Sequence, residues 1–400
     1  MIRTIIFALL FLIAAAFVIA IIINGIILLV LCIRNKDKSR TVSRIKKSLA
    51  FVGIVGAVSF VFVWFTQRTT YTPAILNEDG ENEEKSISEL QEVELNGRKE
   101  WISVRGKNRN NPVLLFLAGG PGGSQMAAVR HDLSEMEEYF VVVNWDQPGS
   151  GKSYGAISTN DITVDMYIED GYALTKYLCE TYNQEKIYVV GESWGSALGI
   201  FLIDKAPELY HAFIGTGQMV AFAETEIIDY ELALKLARKN GDTAKIKNLE
   251  ANGLPPYYGS DVTWKSAEYI NYLTSFMTQN SAIENGGYNT FRDLFSEEYG
   301  IIDKINYFRG IVNTFNNVYQ QLYEIDLRIE YTILDVPAYF FLGRHDINAP
   351  TSLVEEYFEL LDAPEKEIIW FENSGHSPWI NESSVFVQEL LRVTKVSVSN

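Results

Sequence analysis

Cysteine and histidine are scarce in this chain of 400 residues, which holds two of the first and four of the second. Cys32 lies in a long apolar run and Cys179 in an amphipathic helical stretch, so no disulfide is expected between them. That usage is ordinary for exported bacterial proteins. With no cysteine–histidine cluster, neither a metal site nor any cofactor is expected. An excess of basic charge is lacking too, since 34 Lys and Arg stand against 51 Asp and Glu. Residues 1–65 carry eight of the basic and one of the acidic side chains, which leaves 26 against 50 and a net charge of −24 for the rest. A body so acidic repels phosphate backbones, which excludes nucleic acid as a partner. Internal repeats are also missing.

Charge is missing altogether from residues 4–33 and again from residues 48–65. A helix needs about 20 apolar residues to cross the hydrocarbon core of a bilayer. Both runs fit a span, and a signal peptide would have a shorter apolar core followed by a cleavage site of small residues. The loop at 34–47 holds Arg34, Lys36, Lys38, Arg40, Arg44, Lys46 and Lys47 against Asp37 alone. Short loops this basic stay in the cytoplasm. Residues 1–65 are therefore expected to form a transmembrane hairpin in a cell membrane, with the rest of the chain extracytoplasmic.

Behind the hairpin, residues 66–88 are polar and acidic and read as a flexible stalk. Residues 92–104 read as a β-hairpin about Asn96-Gly97. Apolar strand-like runs and helical patterns then alternate to residue 217, which predicts a mostly parallel sheet with helices on both faces. Residues 218–330 carry helical patterns almost alone and read as an inserted cap. Residues 331–400 return to strands and helices. The core thus spans 89–217 and 331–400, and the fold class is α/β.

Gly191-Glu192-Ser193-Trp194-Gly195 follows the strand-like run 186–190 and precedes a helical run from Ser196. A G-x-S-x-G elbow between strand and helix exposes a serine hydroxyl in a strained turn. Such a hydroxyl needs a base and an acid to become a nucleophile. His376, in the loop after the strand-like 367–371, lies in the right chain order for the base. Asp346, at the end of the apolar run 338–342, lies between Ser193 and His376, where the acid belongs. His345 adjoins the acid, and His131 and His211 sit in ordinary polar stretches. An oxyanion needs two backbone N–H donors. Trp194 follows the nucleophile, and Gly120 lies in the glycine-rich loop 119–123 after the apolar run 113–117. The segment Gly149-Ser150-Gly151-Lys152-Ser153 looks like the end of a phosphate-binding loop, but Asp146 stands where that loop needs its first glycine. It is read as the rim of the hydrolase site.

These blocks resemble the proline iminopeptidase family of α/β-hydrolases, the serine aminopeptidases. The resemblance rests on Gly119-Gly120-Pro121-Gly122-Gly123, on Asp146 to Ser153, on Gly191 to Ser196, and on Gly343 to Asp346 with Ser374-Gly375-His376. It implies Ser193 as nucleophile, Asp346 and His376 as its partners, and the amides of Gly120 and Trp194 as oxyanion hole. The family usually has His at the position of Ala118, often Gly at Glu192 and usually Arg at Pro148, which bears on substrate preference. It also binds the free amine of its substrate through acidic residues of the cap. Glu224, Glu226, Asp229 and Glu231 follow the sixth strand here, and Glu224 and Glu226 are the expected amine ligands. Glu192 is expected to point away from the nucleophile. The implied activity is release of N-terminal residues from small peptides. An ester hydrolase on the same scaffold and a catalytically silent interaction domain remain the alternatives.

Overall fold

The computed structural model describes residues 2–77, 79–285 and 287–397. They divide into two compact units, one of residues 2–71 with Phe295–Ile305 and one of 72–294 with 306–397.

In the first unit α1 (Ile2–Ile33) and α2 (Ser39–Arg68) pack together, with Phe17 stacked on Phe51 at 4.2 Å between ring centroids. Both are long and apolar enough to cross a membrane. Side chains such as Leu12, Ile23, Leu29 and Phe60 point outward. A helix apolar all round suits either a protein core or a membrane. The segment Phe295–Ile305, expected inside the cap, groups with this hairpin instead. Gln67 explains why, because its side chain donates to Asp303 at 2.9 Å and accepts from the Ile302 N–H at 3.0 Å.

In the second unit eight strands form one sheet: β1 (Ile87–Leu95), β2 (Arg98–Gly106), β3 (Val113–Leu117), β4 (Val141–Asp146), β5 (Ile187–Glu192), β6 (Tyr210–Thr216), β7 (Ala338–Gly343) and β8 (Lys366–Phe371). Their order is β1-β2-β4-β3-β5-β6-β7-β8, antiparallel only from β1 to β4. Asn96 and Gly97, both at positive φ, make the β1–β2 turn as Asn-Gly pairs do in tight hairpins. The α-helices after the hairpin, taken over both units, are α3 (Met126–Asp132), α4 (Val164–Thr181), α5 (Trp194–Lys205), α6 (Phe222–Asn240), α7 (Thr243–Asn252), α8 (Val262–Gln279), α9 (Thr290–Leu294), α10 (Ile301–Arg309), α11 (Phe315–Val318), α12 (Leu327–Glu330), α13 (Thr351–Leu360), α14 (Pro378–Asn381) and α15 (Ser383–Thr394).

The strands alternate between two apolar layers, as the period of two requires. Val113, Leu115 and Leu117 face one layer with α4, α5 and α13, while Leu114 and Phe116 face the other with α3 and α15. Leu198 and Leu202 of α5 are fully buried. Removing side chains of that size from water stabilises the fold by about 1.5–3 kcal/mol each. Both central elements of the site, β5 and α5, therefore sit in the most deeply packed part of the molecule.

The stretch expected as a free stalk is partly tied down. Residues 66–68 end α2, and Thr72 and Ile75 are buried. The cause is Arg105, a buried guanidinium paired with Glu137 at 2.6 Å. Its remaining donors need acceptors, and it finds Thr72 Oγ1 at 2.8 Å and the Pro73 carbonyl. Glu78 of that stretch lies outside the described residues.

Candidate active site

Ser193 sits at the junction of β5 and α5 with φ 54° and ψ −122°. A non-glycine residue held at positive φ costs about 1–3 kcal/mol and persists only where its surroundings over-determine it. Here the Ser193 N–H is held by the Thr216 carbonyl at 3.0 Å. The flanking glycines are required by close approach. A Cβ on Gly191 would run into the Gly195 carbonyl, and one on Gly195 into the Leu117 carbonyl.

Trp194 is the first residue of α5, so its N–H lacks an acceptor within the helix. Its indole donates to Gln147 Oε1 at 3.0 Å, and Gln147 Nε2 in turn donates to the Ala118 carbonyl at 3.1 Å. Gln147 thus ties α5 to the glycine-rich loop. Gly119 passes so close to Ser193 that a Cβ on it would lie 3.2 Å from the serine Cβ. Gly120 has φ 136°, a conformation that L side chains rarely adopt.

His376 Nδ1 lies 2.9 Å from Asp346 Oδ2. The other oxygen of Asp346 accepts the N–H groups of Asn348 and Ala349, at 2.8 and 3.1 Å. Those two bonds fix the carboxylate and so the imidazole. Burial alone would lower the His376 pKa, but the adjacent Asp346, with Glu192 behind it, pushes it up to about 9. The other histidines are occupied elsewhere. His131 faces Asp293 at 3.0 Å, His211 lies against the Tyr188 ring, and His345 lines a separate groove with Arg344.

Ser193, Trp194, Gly120 and His376 line one cavity of about 190 Å³, together with Glu226 and Asp229 of the cap. Of the two expected amine ligands, Glu226 is therefore brought to the site and Glu224 is not. Glu224 is half exposed and paired with Arg328 on the outside. Glu226 is buried and accepts from Ser266 and Tyr319, both at 3.0 Å, and from Tyr269. Burial raises its pKa to about 7 against the pull of those three donors. Asp229 is buried beside it, and its Oδ1 has no hydrogen-bond partner. Burial, then Glu226 and Asp346, hold its pKa well above the usual carboxylate range.

Glu192 does point away from the cavity, but it is not idle. Its buried carboxylate accepts from Gln125 Nε2, Tyr288 Oη and Ser377 Oγ at 2.8, 2.8 and 2.9 Å. It braces the loop that carries His376. The segment that resembles a phosphate loop folds around a carboxylate of its own. Asp146 accepts from Ser124 and, at 2.7 Å, from the Lys152 N–H, and a Cβ on Gly151 would run into it. Among the described residues no cluster of His, Cys, Asp and Glu suits a metal ion.

Residues 112–382 match the family model described as the alpha/beta hydrolase fold. The chain is 31% identical over 320 residues to a probable aminopeptidase, YbaC, of Bacillus subtilis strain 168, across 78% of this chain and 97% of that one. Among solved structures it resembles a proline iminopeptidase of Mycobacterium smegmatis, with TM-score 0.56 and 17% identity over 76% of this chain and 97% of that one. It also resembles a bacterial membrane phospholipase A, with TM-score 0.54 and 17% identity over 77% and 87%. At that identity the two structures speak for the fold alone. The matched motifs, the sheet order and the relative at 31% identity agree, and the chain belongs to the α/β-hydrolase family.

Proposed function

We propose that this protein is a membrane-anchored serine hydrolase that removes N-terminal residues from small peptides. The observation that carries this reading is the cavity in which Ser193 and His376 share a wall with two buried carboxylates, one of them with an unpartnered oxygen. Burying acids costs several kcal/mol unless a cation or donors compensate. An ester needs no such pair, whereas the α-ammonium of a peptide supplies the missing charge. In this reading Ser193 Oγ attacks the carbonyl, His376 takes the hydroxyl proton, and the amides of Gly120 and Trp194 hold the oxyanion. His376 then passes the proton to the leaving amine, and water releases the acyl group by the same route. Comparing aminoacyl arylamides with aryl esters tests the choice, and preferential turnover of esters would favour the alternative.

The pH profile follows from the charges. Turnover needs His376 neutral, the cap acids ionised and the substrate amine protonated. The first two are raised, to about 9 for His376 and about 7 for Glu226, and a free α-amine titrates near about 8. kcat/KM for arylamides should therefore rise with pH through neutrality and peak on the alkaline side. Above the peak it should fall for arylamides but not for aryl esters, which have no amine to lose its proton. A profile flat between pH 5 and 9 would contradict the assignment of His376 as base.

The basic loop at 34–47 supports an extracytoplasmic hydrolase. Protease added to intact cells should then degrade or release the hydrolase unit. Protection until lysis would reverse the orientation.

A further inference from the structure

A second cavity, of about 460 Å³, opens on the far side of His376. Met277 and Thr278 of α8, Ile283 and Tyr288 of the following loop, Asn348 and His376 are among its lining. It shares His376 and Asn348 with the cavity of Ser193, but it touches neither Ser193 nor the glycine-rich loop. No Asp, Glu, Lys or Arg is among the described residues that line it.

Proton transfer decides what such a cavity receives. When the acyl–nitrogen bond breaks, the proton that His376 took from Ser193 goes to the departing nitrogen, which leaves as a neutral amine while the acyl group stays on Ser193. The departing nitrogen must lie within hydrogen-bond reach of the imidazole. A space that borders the imidazole but not the nucleophile is therefore on the leaving side. Volume agrees with that division. The cavity of Ser193 falls below the roughly 300–1,000 Å³ of pockets for drug-sized ligands, and the second cavity lies within that range. One small residue suits the first, and a longer chain suits the second.

Asn348 stands at the junction. Its Nδ2 donates to Thr274 Oγ1 at 2.9 Å, and its buried Oδ1 has no partner. The bond to Thr274 fixes the amide end and leaves Oδ1 without a donor between the two cavities that Asn348 lines. A buried acceptor left without a donor is destabilising, and the backbone N–H of a peptide is the donor that the leaving side brings.

We propose that the second cavity seats the leaving chain, that the Asn348 carboxamide accepts a backbone N–H from it, and that the preferred substrates are oligopeptides with uncharged residues just after the cut. This rests on the aminopeptidase reading. A Lys or Glu placed there would be desolvated without a counter-charge.

The test uses the full-length protein and C-terminally amidated peptides of two to five residues, with one N-terminal residue throughout, beside the matching arylamide. kcat/KM should rise at least about tenfold from dipeptide amide to tetrapeptide amide, through KM. Glu or Lys at the first leaving position should lower it by a similar factor. Asn348→Ala and Thr278→Trp should each collapse the ratio of tetrapeptide to arylamide turnover about tenfold. Thr278 is on the exposed side of α8, so that variant should fold even if Asn348→Ala disturbs the neighbouring Asp346. Equal turnover along the ladder, or an unchanged ratio in Thr278→Trp, would overturn the inference. If the wild-type protein cleaves no arylamide, the aminopeptidase reading fails first, and this inference with it.

Discussion

Ser193→Ala should reduce turnover of every substrate by about 10⁶-fold and leave the fold intact. The size follows from the proposed role, because removing the nucleophile of a serine hydrolase leaves only binding and oxyanion stabilisation. Folding should survive because the strain at residue 193 resides in the backbone, where alanine replaces serine atom for atom, and the Ser193 N–H bond to Thr216 remains. Relief or increase of strain would show as a small change in Tm. Asp346→Asn should cost about 10⁴ in kcat. The Oδ1 bonds from Asn348 and Ala349 hold the side chain in place, so an amide N–H would be turned toward His376 Nδ1 and impose the wrong tautomer. Thermal melts and single-turnover labelling with a fluorophosphonate separate chemistry from folding. Activity of Ser193→Ala within tenfold of wild type would reject the nucleophile. A mild Asp346→Asn would place the acid elsewhere.

How much of the site is legible in the amino-acid sequence depends on the range of the interactions concerned. The elbow is local. Gly191, Ser193 and Gly195 are spaced by the turn itself, and the clashes that require the glycines occur within five residues or against β3, which the apolar run 113–117 announces. Likewise, Asp346 and His376 stand at the ends of apolar strands, and chain order is enough to pair them. The cap is different, because a helix face acquires meaning only from what packs on it. Glu224 and Glu226 are two residues apart and so project to nearly opposite sides of α6. Asp229, three residues beyond Glu226, shares its face with Phe222 and Ala233. That spacing is a usable signal, and it favours the pair Glu226 and Asp229 over Glu224. The bracing of Glu192 by Gln125, Tyr288 and Ser377 joins segments up to 185 residues apart, and no local pattern announces it. The same holds for the grouping of Phe295–Ile305 with the apolar hairpin, which rests on the side chain of Gln67.

Acetylating the substrate's N-terminus should abolish cleavage of arylamides and peptides while leaving aryl esters without an amine unaffected. Acetylation removes the substrate's cation, and apart from the His376 imidazole none of the cavity's described lining residues can carry positive charge. The two acids should not contribute equally. Glu226 already accepts from Ser266, Tyr269 and Tyr319, so much of its charge is stabilised without substrate. Asp229 Oδ1 has no partner, and burial beside Glu226 disfavours its ionisation until a cation arrives. Asp229→Asn should therefore raise KM for free-amine substrates more than Glu226→Gln does. A hydrogen bond to a charged group contributes about 1.5–3 kcal/mol, which places the rise at about 10- to 100-fold for Asp229→Asn. Since neutral Asn needs no desolvated charge, that variant should also be at least as stable as wild type at neutral pH, and its KM should lose most of its dependence on pH below 8. Equal cleavage of acetylated and free substrates would reject the aminopeptidase reading and favour the esterase. A larger effect from Glu226→Gln than from Asp229→Asn would keep the reading and reverse the roles of the two acids.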